Sequence, residues 1–93
     1  VKKKKKKVFR LYENYPNPFN PVTKIKFDIA SNSEVKLVVY DLLGKVVTTL
    51  VSGNLDAGTF ETSFEGSNYS SGVYFYRLDA GSYTAIKKML LTK

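Results

Sequence analysis

Lys24-Ile25-Lys26-Phe27-Asp28-Ile29 alternates between charged and apolar residues without a break. A period of two puts Ile25, Phe27 and Ile29 on one face and the charges on the other, the pattern of a strand buried on one side. Working outward, Ser31-Asn32-Ser33 reads as a turn, and Val35, Leu37 and Val39 line the inner face of a second strand. Asp41-Leu42-Leu43-Gly44 is a tight connection into residues 45–51, which are rich in β-branched side chains. Ser52-Gly53-Asn54 and Asp56-Ala57-Gly58 read as the two ends of a longer loop. Phe60, Thr62 and Phe64 then alternate with Glu61, Ser63 and Glu65. Residues 73–78 carry large side chains on both faces, so periodicity does not say which set points inward. In the last strand, residues 83–92, Lys87 and Lys88 break the alternation and predict a bulge or a partly exposed edge. Upstream, residues 8–12 form a first short strand.

The sum is about seven strands at regular spacing and no amphipathic stretch of helical length. That predicts an all-β fold, an antiparallel immunoglobulin-like β-sandwich. A length of 93 residues fits one domain. It occupies residues 8–93, behind a lysine-rich linker or tail at residues 1–7. Between the first two strands lies Tyr15-Pro16-Asn17-Pro18-Phe19-Asn20-Pro21. Each proline fixes its own φ and pushes the preceding residue out of the helical region, so no helix forms there.

Composition narrows the chemistry. There is no Cys, which excludes disulfides, thiolate metal sites and thiol catalysis, and no His, the commonest general base and metal ligand. Serine nucleophiles have no imidazole to activate them, and the eight acids fall on polar strand faces or at turns. No enzyme and no cofactor is expected. Asp41 and Asp56 are the acids placed to share a calcium ion at one end of a sandwich, but the calcium-loop spacing is missing. Tyr69, Tyr74, Tyr76 and Tyr83 are the candidates for stacking on sugar rings. The formal charge of +7 is misleading, because Lys2 to Lys7 supply six of the positives and the remainder is nearly balanced. With no basic stripe in the domain, nucleic acid is not an expected partner. No apolar run is long enough to span a bilayer. A chain that starts at Val1 reads as a fragment or processed product of something longer.

Three segments carry a resemblance: residues 14–21 (NYPNPFNP), residues 71–78 (SGVYFYRL) and residues 87–93 (KKMLLTK), with residues 40–45 (YDLLGK) between them. In this order and spacing they resemble the C-terminal sorting domain of the type IX secretion system of Bacteroidetes and related phyla. A similar sandwich occurs in the flagellar hook-capping protein. The resemblance implies a β-sandwich carried at the C-terminus of an exported passenger and read by the outer-membrane translocon. A sortase-like peptidase would then remove it, with the passenger passing through the periplasm to the cell surface or beyond. It also implies that Pro16, Asn17, Pro18, Gly72, Tyr74, Lys87, Lys88, Met89, Leu90 and Leu91 serve translocon recognition. Each has a competing structural job: the prolines pin a crossover, Gly72 supplies a special backbone geometry, Tyr74 packs, and Leu90 and Leu91 complete the core. The alternative function is a retained surface module in which edge strands pair between copies. Lys24, Lys26 and the terminal lysines stand against it as edge guards.

Overall fold

The computed structural model describes residues 8–93, and the tail expected over residues 1–7 lies outside them. Seven strands follow in chain order: β1 (Arg10–Leu11), β2 (Val22–Ile29), β3 (Ser33–Tyr40), β4 (Val46–Leu55), β5 (Gly58–Glu65), β6 (Gly72–Ala80) and β7 (Tyr83–Leu91). The seven strands pair with one another antiparallel throughout. One sheet has the order β1-β2-β5 and the other β4-β3-β6-β7. The antiparallel sandwich predicted from strand spacing is therefore present. It departs from the antibody constant-domain arrangement in one strand, because β4 lies beside β3 rather than on the first sheet.

The core is the facing pair of alternating rows. Ile25, Phe27 and Ile29 from β2 meet Val35, Leu37 and Val39 from β3, all buried. The ambiguity in β6 is resolved by its neighbour. Leu37 lies opposite Leu78 and Val39 opposite Tyr76, and directly opposed residues share a face. Tyr74, Tyr76 and Leu78 therefore turn inward with the β3 row, leaving Phe75 and Arg77 half-buried on the outer face.

Several expectations need correction. Ser52-Gly53-Asn54 form no loop; they continue β4, opposite Lys36, Val35 and Glu34. Ladder pairing and an Asn54 amide bond to Glu34 Oε1 at 3.4 Å outweigh their turn-like composition. β7 carries no bulge, since its pairing with β6 runs unshifted from Gly72↔Leu91 to Ala80↔Tyr83. The irregularities fall on β4 instead, between Leu37 and Val38 and between Val39 and Tyr40 of its partner strand. Lys87 does not break the alternation either. It takes the inward set of positions with Ala85 and Met89, half-buried, with its ammonium 2.9 Å from Glu13 Oε2. β7 is an edge strand, as expected. Lys24 and Lys26 guard no edge, because β2 is the middle strand of its sheet. Asp41 and Asp56 cannot share an ion. They lie beyond opposite ends of the ten-residue β4, roughly 30 Å apart at the rise of a strand.

Candidate functional site

The resemblance motifs, far apart in sequence, meet at one end of the sandwich. β3 and β7 finish there, β6 begins there, and the proline-rich segment crosses there on its way into β2. Asn17 Oδ1 accepts the Leu90 amide at 3.0 Å. Phe19 then lies in parallel bridge with Leu91. Its amide donates to the Leu90 carbonyl at 2.9 Å, and its carbonyl accepts the Thr92 amide at 2.9 Å. Asn17 to Phe19 thus cover the last outward-facing backbone groups of β7. They do so with the Asn17 side-chain oxygen, which accepts from the Leu90 N–H, as well as with the Phe19 main chain.

Beneath this clamp is an aromatic cluster. Phe19 meets Phe64 edge-on at 5.9 Å, Phe64 stacks on Tyr69 at 5.6 Å, and Tyr74 tilts against both. The Tyr74 hydroxyl donates to the Ser70 carbonyl at 2.6 Å, and burial, then the charge of Asp41, pushes its pKa up. Gly72 opposes Leu91 and Tyr74 opposes Met89 across the β6–β7 ladder. Gly72 has φ +149°, a conformation that L side chains rarely adopt, so its competing structural job is met. A Cβ on Gly66 would come within 2.9 Å of Leu91 Cδ2 and 3.2 Å of the Pro21 carbonyl oxygen. That close approach lets the loop after β5 sit on the end of β7.

Behind the prolines lies a small polar knot. Thr23 Oγ1 donates to the Pro16 carbonyl at 2.8 Å, and the Asn14 amide reaches Thr23 Oγ1 at 3.0 Å and the Pro16 carbonyl at 3.2 Å. Asn14 and Thr23 are both buried, so these bonds offset the cost of taking polar groups out of water. Asn14 reaches inward because residues 13 and 14 together oppose Ile25 alone: Leu11 pairs with Phe27 but Tyr15 with Lys24.

The ten expected site residues divide by exposure. Pro16, Asn17, Pro18, Lys88 and Leu90 are exposed; Tyr74, Met89 and Leu91 are buried; Gly72 and Lys87 are intermediate. Leu90 does not complete the core as expected. It is 38% exposed against 1% for Leu91, because strand alternation sends it to the outer face. The two lysines also differ. Lys87 Nζ lies 2.9 Å from Glu13 Oε2, whereas Lys88, opposite Phe75, has no acidic partner among the described residues. Sequence reasoning passed over Glu13, Asn14, Phe19, Thr23 and Gly66. Phe19 carried a signal, as the one bulky apolar side chain among prolines and asparagines; the others carried none.

Beside the clamp, an open groove of about 320 Å³ is lined by Asp41, Leu42, Leu43 and residues 70–74. Its carboxylate is engaged, since Asp41 Oδ1 accepts the Leu43 and Lys45 amides at 2.9 Å each. The four tyrosines considered for sugar stacking are engaged too. Tyr74 and Tyr76 are buried, Tyr69 stacks on Phe64, and Tyr83 stacks on Phe9. Among the described residues no three His, Cys, Asp or Glu side chains group to hold a metal, and no helix is long and apolar enough to cross a membrane.

By class, this is an all-β sandwich whose distinguishing sequence motifs gather on the edge and end of its last strand. Residues 13–92 match the secretion system C-terminal sorting domain, and the chain belongs to that family. The family is the C-terminal sorting signal of type IX secretion, not a catalytic family. Membership implies contact with the secretion machinery, an attached passenger, and export toward the cell surface or extracellular space. No curated protein and no solved structure matches this chain.

Proposed function

We propose that the translocon reads the clamped end of β7 as one surface, with exposed and buried motif residues in different roles. Pro16, Asn17, Pro18, Lys88 and Leu90 make the contacts. Gly72, Tyr74, Met89 and Leu91 position them, and Lys87 holds the strand against Glu13. The reading rests chiefly on one observation: the Asn17 side chain and the Phe19 backbone bond directly to Leu90 and Thr92, so the two motifs form one patch. The domain itself does no chemistry and takes no cofactor. Residues 1–7 are its linker or tail toward an N-terminal passenger, which passes through the periplasm before a sortase-like peptidase removes the domain at the surface.

The test joins a passenger to this chain in a bacterium that runs type IX secretion. Replacing Lys87 and Lys88 together with Ala abolishes export while unfolding free energy changes by less than about 1 kcal/mol, since rim ion pairs contribute little. Export at the unmodified rate removes the lysine pair from the recognised surface. A second reading, retention as a structural surface module, draws on the open edge of β7 described next. Mass spectrometry of the mature exported parent separates the two. Peptides from residues 35–77 are absent if the domain is removed and stoichiometric if it is kept.

A further inference from the structure

β7 bounds its sheet, and the described residues cover its outer backbone only in part. In an antiparallel ladder, alternate residues turn their N–H and C=O groups away from the partner strand. Leu90 and Thr92 belong to the outward set, since their groups meet Asn17 and Phe19. By the same period Thr84, Ile86 and Lys88 also face outward. No described residue bonds to their backbone groups across this edge. The usual protections of an exposed edge are a bulge, a proline or charged side chains, lysine above all. β7 has neither bulge nor proline; its guards are Lys87, whose ammonium is held by Glu13, and Lys88, and its outer row of Thr84, Ile86, Lys88 and Leu90 leaves Ile86 59% exposed.

We propose that this edge docks a second copy of the chain, through twofold antiparallel pairing of β7 with β7 centred on Ile86. The open window sets the register. Asn17 and Phe19 close it at Leu90, and the turn at Gly81-Ser82 closes it before Tyr83. Outward-facing residues must oppose one another, so Ile86 meets the partner's Ile86 and Lys88 meets the partner's Thr84. The Thr84 hydroxyl already donates to Asp79 at 2.8 Å. In this register the ammonium of Lys88, without an acidic partner among the described residues, points toward the partner's Thr84 and the partner's Asp79, a carboxylate also held by Arg77 at 3.1 Å, while Ile86 loses its exposure.

Registers slipped toward the C-terminus fail on charge, and the one slipped the other way runs Lys88 onto the partner's Ser82, in the turn that ends the ladder. Setting Ile86 against the partner's Lys88 brings Lys87 opposite the partner's Lys87 in a close pair, and one step further brings Lys88 against the partner's Lys88. Like charges directly opposed destabilise a sheet. The second of these registers also drives the partner's Ile86 onto Leu90, where Asn17 sits. The product is one continuous sheet of eight strands, joined over five residues on each side. So short a seam belongs with weak, transient interfaces, with a dissociation constant on the order of 10 µM to 1 mM. This pairing does not depend on how the translocon reads the domain.

The full chain is tested by sedimentation over about 10 µM to 1 mM, in roughly 0.15 M salt to screen the net charge of +7 between copies. The expected result is a reversible monomer–dimer equilibrium in which Thr84, Ile86 and Lys88 amides gain hydrogen-exchange protection as concentration rises. Ile86→Lys, which places two cations at the twofold axis, weakens association at least tenfold without lowering the melting temperature, because Ile86 is outside the core. Three results overturn the proposal: a monomer at 1 mM, a dimer indifferent to Ile86→Lys, or protection of these amides that does not vary with concentration. A monomer with freely exchanging amides would leave the edge to a strand from another protein. Concentration-independent protection would assign it to the chain's own residues 1–7.

Discussion

β4 and β7 bound the same four-stranded sheet and end it in opposite ways. β4 is bulged twice against β3, and Thr48, Thr49, Ser52 and Asn54 make much of its length polar. Each bulge adds local twist and spoils the row of backbone groups another strand would need. β7 keeps regular pairing along its whole length and places Ile86 and Leu90 toward solvent. Its protection is borrowed, coming from Glu13, Asn17 and Phe19, which lie seventy or more residues away in sequence. A self-protected edge can be ignored by partners. An edge covered by a distant segment over part of its length offers a defined, limited stretch for recognition.

The largest expected effect breaks the borrowed protection. Phe19→Ala removes a side chain that is 1% exposed and empties the space beside Phe64 and Leu91, at a cost of about 3–5 kcal/mol in denaturant unfolding. Hydrogen exchange should speed up at Leu90 and Thr92 first. A loss below about 1 kcal/mol would mean that β7 keeps its end without the clamp.

Thr23→Val keeps the shape of the polar knot but strips the donor from the Pro16 carbonyl and the acceptor from Asn14. The expected cost is about 1–3 kcal/mol, again concentrated at the β7 end. A neutral result would show that the proline crossover stands on its own backbone.

A pH series probes the seam between the sheets near β7. The Tyr76 hydroxyl donates to the Tyr12 carbonyl at 2.8 Å, and burial chiefly raises its pKa well above that of a free phenol. Because the folded state holds this proton more tightly than the unfolded chain, the stabilisation is complete below a pH of about 10 and is lost as the pH rises from there toward the raised value. Tyr76→Phe should flatten that alkaline decline, as followed by thermal melts. An unchanged slope would place the alkaline transition elsewhere. The outer face of the three-stranded sheet supplies the acid limb. Desolvation pushes the Asp28 carboxyl up, but hydrogen bonds from Tyr12 and Thr59 and the charges of Lys26 and Arg10 leave it below the usual aspartate value. Its contribution is present above about pH 4 and fades as the pH falls below that.

The smallest effect sharpens the contrast between the edges. Thr49→Lys, on exposed β4, should leave both stability and sedimentation unchanged, whereas Ile86→Lys dissociates copies. Equal effects of the two substitutions would erase the distinction drawn between a bulged and a smooth edge.

Much of the fold was legible because burial imposes a period of two on residues 24–29, 35–39 and 60–65. Where both faces of a strand carry bulk, as in residues 73–78, that period is silent. Only the register with Val39 and Leu37 turned Tyr76 and Leu78 inward. Ser52-Gly53-Asn54 misled because turn propensity is a local quantity, and pairing with β3 overrides it. Of the site, the motifs were legible as strings, but their meeting was not. No spacing rule relates Asn17 to Leu90 or Glu13 to Lys87, because those contacts depend on where two sheets stack.

An all-β domain, its number of strands, most of its inward rows, its lack of cysteine and histidine chemistry, and its family resemblance could all be read from the order of the residues. These follow from local periodicity and composition, which need no knowledge of distant partners. Packing of the sheets fixed which strands became edges and set Lys87, not Lys88, against Glu13. It also laid a proline-rich crossover over the end of β7, with no other described residue bonding the backbone of Thr84 to Lys88 across that edge. Those outcomes belong to pairs of residues far apart in the chain, and such pairs acquire a geometry only when the sheets are packed.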